Sequence, residues 1–194
     1  MYDHSLQDPS VTPESVRTGK LREILARRGF VSSSEADDIA EALALGESAL
    51  GGGLVPQNVV QACENRTGRC FFIRRAETGE AEGFIALLYL NKAGYEALMW
   101  GRFRPEAPDL DHLTVPGERA TAIYVWCLAG STDEARFACV RAVTEARRKA
   151  FPDIALFARP MSREGRMMTA ALDAPGAGAA WLGWVPVQSG EEEG

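Results

Sequence analysis

The stretch from residue 120 to 187 constrains the fold more tightly than any other part of the chain. It orders an apolar strand at 122–128 (AIYVWCL), a Gly130-Ser131 turn, a helix at 132–150, a second apolar strand at 154–158 (IALFA), a helix at 162–172 and a strand at 180–187 (AWLGWVPV). AIYVWCL, like FIALLYL at 84–90, is apolar on both of its alternating faces, which marks strands covered on both sides. A long helix between two buried strands requires a crossover, since a tight turn cannot join parallel neighbours. The order therefore predicts 122–128 and 154–158 as adjacent parallel strands connected by helix 132–150.

That helix is strongly specified. Ser131 with Glu134 three residues later has the form of a capping box, in which hydroxyl and carboxylate each satisfy a free amide. Ala135, Cys139, Ala142, Val143 and Ala146 share one face and are mostly small, so the helix can lie close to the sheet. Glu145 and Lys149 form an i,i+4 pair, Arg147 to Lys149 complement the C-terminal dipole, and Pro152 stops the helix. A helix start directly after a buried strand also presents amides suited to an anion, although capping alone accounts for the same residues.

Upstream, 16–30 reads as a short amphipathic helix on Leu21, Ile24 and Leu25, ended by Gly29. Ser34 before Asp37 predicts the cap of a second helix, whose apolar face carries Ile39, Ala40 and Leu43. Gly51-Gly52-Gly53 reads as a hinge, lacking the Lys-Ser or Lys-Thr of a phosphate loop. Pro56 opens a third helix at 57–64, and 70–73 with 84–90 predict an antiparallel hairpin. No segment before residue 60 reads as a strand. Asn91 caps a short helix through Leu98, and 101–119, with Pro105, Pro108 and Pro116, is an irregular excursion that either borders a substrate site or forms a surface flap.

At 194 residues the chain suits a single domain at 16–187, with a polar arm at 1–15 and an acidic tail at 188–194. A formal charge of −6 argues against nucleic acid as a partner. Cys63, Cys70, Cys127 and Cys139 have no metal-ligand spacing and the two histidines are far apart, so no metal is expected and the cysteines read as reduced core residues. The first residues lack a secretory pattern and no apolar run is long enough for a membrane span, which points to a cytoplasmic protein.

The strand, turn, helix, strand order at 122–158, closed by the Leu-Gly-Trp strand, resembles the C-terminal half of a GNAT-type acyl-CoA N-acyltransferase. The resemblance covers about residues 60 to 187. It implies an α/β fold with a mixed, mostly antiparallel sheet, one parallel strand pair and helices on both faces. It also implies acetyl-CoA or another acyl-CoA as co-substrate and a small-molecule amine as acceptor. In such a fold the pantetheine pairs with the first parallel strand, here the backbone of Val125, Cys127, Leu128 and Ala129. The pyrophosphate lies at the helix start, here Gly130, Ser131, Thr132 and Arg136.

The family's Q/R-x-x-G-x-G/A loop corresponds to 131–139 (STDEARFAC), which has Arg136 but no glycine pair. A Tyr general acid on the helix after the second strand has no counterpart in 162–172 (SREGRMMTAAL). Tyr124 and Ser162 are the candidate catalytic residues, with Glu96 a further one, and each also suits a structural role as core aromatic, helix cap or surface residue. Met161, Met167 and Met168 could line an acyl wall or fill the core. Two other functions fit the same residues: a ligand-binding module without turnover, and a protein-interaction scaffold.

Overall fold

The computed structural model describes residues 17–160 and 182–184. Within them, α1 (Thr18–Ala26), β1 (Phe30–Ser32), α2 (Ala36–Leu50), α3 (Gln57–Thr67), β2 (Phe71–Arg75), β3 (Ala81–Leu90) and α4 (Lys92–Met99) precede a 3-10 turn at Leu110–His112. Next come β4 (Ala122–Gly130), α5 (Asp133–Lys149), β5 (Ala155–Ala158) and β6 (Leu182–Trp184). The strands form one six-stranded sheet in the order β1-β2-β3-β4-β5-β6. Only β4 and β5 are parallel, and the other neighbours are antiparallel. This is the mixed α/β sheet the sequence order predicts, with α5 as the crossover.

Helices cover both faces. On one, Leu21, Ile24 and Leu25 of α1 and Cys139, Ala142, Val143 and Ala146 of α5 pack over Ile85, Leu87, Ile123 and Leu156. On the other, Ile39 and Ala42 of α2 and Val60 of α3 cover Phe71, Ile73, Phe84 and Ala86. The same face continues as Ala97 and Leu98 of α4, with Phe103 and Leu113, over Leu88, Leu90, Tyr124 and Phe157. This two-sided cover is why β3 and β4 carry no polar face: every residue from Gly83 to Leu90 is buried. Among the described residues no helix is long and apolar enough to cross a membrane.

Three local readings of the sequence are corrected. β1 exists, pairing Phe30, Val31 and Ser32 with Arg74, Ile73 and Phe72, but at three residues with only Phe30 buried it has no readable periodicity. The second helix is not capped by Ser34. Its N-cap is Glu35, and Ser33 ties the turn by accepting from the Glu35 amide at 3.1 Å while donating to Asp38 at 2.5 Å. The capping residue of α5 is Thr132, whose hydroxyl accepts from the Ala135 amide at 3.1 Å, and Ser131 instead donates to the Glu82 carbonyl. The one-residue shift follows from the ladder: the Ser131 amide also donates to the Glu82 carbonyl, at 2.9 Å, so Ser131 still belongs to the strand side of the turn.

A buried carboxylate completes the start of β2. Glu64, near the end of α3 and 3% exposed, accepts from the amides of Cys70 and Phe71 at 2.6 and 2.8 Å. Its oxygen replaces a neighbouring strand's carbonyl at a point where the ladder has not yet begun. Burial pushes its pKa up, against the pull of the two amides.

Candidate functional site: the open edge of β4

β4 changes character halfway along. It pairs with β3 from Ala122↔Leu90 to Gly130↔Gly83, but Leu87 faces Val125 while Ala86 faces Cys127, leaving Trp126 as an extra residue. This bulge shifts the side-chain alternation by one position and bends the strand. Tyr124, Trp126, Cys127 and Ala129 all belong to the α2–α4 face, whereas Ile123, Val125 and Leu128 belong to the α1–α5 face. The indole Nε1 of Trp126 donates to the Pro105 carbonyl at 2.8 Å, which ties the 101–119 excursion to the bulge.

On its other edge β4 has β5 for a neighbour only from Ala122↔Ala155 to Val125↔Ala158. Beyond Val125 no described strand lies beside it, and residues 125 to 128 are half-buried rather than buried. The ladder with β3 sets which backbone groups face this opening. Since the Ser131 amide bonds to Glu82, antiparallel alternation turns the polar groups of Ala129 toward β3 and those of Leu128 and Gly130 toward the open edge. The Gly130 carbonyl is taken by Arg136 Nη1 at 3.1 Å.

The α5 start closes this edge from one end. Gly130 makes the approach feasible: a Cβ there would lie 2.7 Å from the Arg136 nitrogen and 3.0 Å from the Ala135 Cβ. With Ala135 bonded to Thr132 Oγ1 and the Arg136 amide to the Thr132 carbonyl, the Asp133 and Glu134 amides are left without an acceptor among the described residues. Both acidic side chains are matched by guanidinium groups. Asp133 pairs with Arg136 at 2.5 Å, and Glu134 pairs with Arg74 at 2.6 Å, Arg74 itself reaching back to Glu82. Glu134 thus points to the β2 side and not to the cap amide a capping box would use.

Of the catalytic candidates, Tyr124 lies buried one residue before the opening begins, its ring centroid 5.6 Å from that of Phe103. Burial pushes its hydroxyl up to about 12, with the charge of Arg159 opposing and that of Glu106 adding to the shift. Arg159 and Glu106 are exposed charges that the local sequence does not single out, and only the sheet and the pinned loop bring them near Tyr124. Glu96 is a surface residue of α4 facing Lys92 at 4.0 Å, on the helix and not at the open edge. Ser162, Met161, Met167 and Met168 lie outside the described residues.

The cysteines are free thiols: Cys63, Cys70 and Cys139 are buried and Cys127 is half-buried. Burial pushes Cys127 and Cys139 up to about 12, so neither supplies a thiolate nucleophile near neutral pH. Cys139 uses its thiol to donate to the Ala129 carbonyl at 3.4 Å, fixing α5 on β4. Among the described residues no group of three or more His, Cys, Asp and Glu is placed to hold a metal ion. Comparison of the chain with family models, curated proteins and solved structures gives no match.

Proposed function

We propose that the chain is an acyltransferase that moves an acyl group from acyl-CoA to a small-molecule amine. The observation that carries this reading is the end of the described β4–β5 pairing at Val125, from which β4 continues to Gly130 and the start of a long helix. An extended ligand with amide groups can pair with Leu128 as an added strand would, and its anionic end then reaches the Asp133 and Glu134 amides. Pantetheine joined to a pyrophosphate has both features in that order.

The chemistry is attack of the neutral amine on the thioester carbonyl, forming a C–N bond as the C–S bond breaks and CoA thiolate departs. Tyr124 carries a hydroxyl one residue before the last β4–β5 pair. Burial pushes its hydroxyl up to about 12, so it keeps its proton where a departing thiolate needs one. Tyr124 therefore serves as a hydrogen-bond donor to the sulfur. Glu106 supplies a negative charge on the pinned loop that would favour a cationic or amine-bearing acceptor.

A second reading, a binding module without turnover, draws support from Arg136. Its guanidinium is occupied by the Gly130 carbonyl and Asp133, so phosphate must compete for it. Thermal unfolding with acetyl-CoA tests both: a ligand at 100 times its dissociation constant stabilises the fold by about 2.7 kcal/mol. Acylated amine detected by mass spectrometry across an amine panel establishes transfer, whereas stabilisation without product favours the binding module. Absence of any shift with acetyl-CoA and longer acyl-CoAs refutes both.

A further inference from the structure

The outer face of α5 carries a concentration of positive charge that runs against the −6 of the whole chain. Arg141, Thr144, Glu145, Arg148 and Lys149 of α5, with Arg28 from the α1–β1 turn, line an open groove of about 320 Å³. Its one carboxylate is already overmatched: Glu145 accepts from Arg27 at 2.8 Å, Arg28 at 2.9 Å and Lys149 at 2.8 Å. Arg141 and Arg148 have no ion-pair partner among the described residues. The Arg28 Nε is buried and has no acceptor among the described residues. These groups belong to the middle and C-terminal turns of the helix, away from the amides at its start.

We infer that this groove binds a chain of linked phosphates. Arg141 and Arg148 are seven residues apart, so they share a helix face at a separation of roughly 10 Å, beyond the reach of a single orthophosphate. Guanidinium forks suit phosphate oxygens placed at both ends of such a span. Every side chain that lines the groove is charged or carries a hydroxyl, so the groove selects its ligand by charge. The recognised part is the phosphate chain itself, whether free or carried by a nucleotide.

Titration calorimetry on the full chain with inorganic tripolyphosphate, at fixed ionic strength, tests the assignment. One equivalent should bind, and Arg141→Gln and Arg148→Gln should each weaken binding about tenfold, as expected for loss of a charge-assisted contact. Both positions are exposed, so circular dichroism should show the variants folded. Lys92→Gln, an equal charge change on the opposite face of the sheet, should bind like the parent chain, and ATP should bind no more than a few-fold differently from tripolyphosphate. Absence of binding, equal loss in Lys92→Gln, or equal affinity for sulfate or hexaglutamate would overturn the inference. The last result would mean that the groove collects anions without regard to phosphate spacing.

Discussion

Replacing Gly130 with alanine tests whether the closeness of α5 to β4 shapes the site. The backbone at Gly130 is not left-handed, so alanine brings no torsional strain there. By itself the change should stabilise the chain by about 0.4–1 kcal/mol through the unfolded state. Against this, the new Cβ would lie 2.7 Å from the Arg136 nitrogen and 2.9 Å from the Ala135 carbonyl carbon, both backbone atoms that cannot rotate away. The first turn of α5 must lift, loosening the contacts of Ala135 and Cys139 with the sheet. Overpacking of this kind costs about 1–3 kcal/mol, so the net loss should be about 1–2 kcal/mol. Gly19→Ala supplies the matched control. Gly19 sits in the first turn of α1 with nothing within 4 Å of its added Cβ, and the same substitution there should stabilise by about 0.5–1 kcal/mol. Urea unfolding of both variants reads the sign. If Gly130→Ala is as stable as the parent with an unchanged m-value, the helix start is not set by this contact and the geometry argued for the anion end fails.

Three further outcomes follow from the charges. Glu145 is held at about 2, below its ordinary 4.5, by Lys149, Arg28 and Arg27, so its stabilisation is present above about 4.5 and lost as pH falls toward 2. Acid titration of Glu145→Gln should lack that part of the decline, and an acid limb unchanged from the parent would contradict the network. Glu64 has the opposite sign: burial raises its pKa, so the folded chain holds a proton that the unfolded chain has released, and its contribution falls as pH rises above 4.5. Relative to Glu64→Gln the parent should therefore lose stability as pH rises from 4.5 through the raised pKa, and a relative gain would show that the two amide bonds outweigh desolvation. For the ligand, Asp133→Asn should tighten CoA binding by freeing Arg136, whereas Arg136→Ala should weaken it about tenfold. Equal calorimetric affinities in both would place the phosphates elsewhere.

The parts of the fold legible in sequence were those where one physical signal dominates. β3 and β4 stand out because their burial on both faces removes polar residues altogether, and α5 because small residues recur at helical spacing beside a Pro152 stop. β1 was not legible because three residues paired at an edge need only one buried side chain. Ser131 and Thr132 are equally good caps by residue type, and the choice between them rests on the Glu82 carbonyl, 49 residues away in the chain. Arg74 joining Glu82 and Glu134, and Glu106 and Arg159 flanking Tyr124, are likewise products of tertiary placement. The bulge at Trp126 left a trace that is readable only in retrospect. Within an entirely apolar run no polar residue marks where alternation slips.

The bulge lies one residue past the end of the β4–β5 pairing, and the two features together shape the second half of β4. A straight β4 would present the polar groups of its second half to a continuing β5, and a paired edge has nothing left to offer a ligand. Trp126 instead bends the strand one residue beyond the last β4–β5 pair, Val125↔Ala158. Its indole, bonded to Pro105, anchors the loop that brings Phe103 over Tyr124. One inserted residue thus shifts the alternation ahead of Leu128 and fixes the loop over Tyr124, at a point where no described strand pairs with the β5 side of β4. Deleting Trp126 should restore regular pairing and leave Cys127 and Ala129 on the α2–α4 face, because Val125 and Cys127 then alternate as direct neighbours. What the deletion removes is the indole and its bond to the Pro105 carbonyl, so the 101–119 loop should loosen over Tyr124 while the pairing of β3 with β4 is kept.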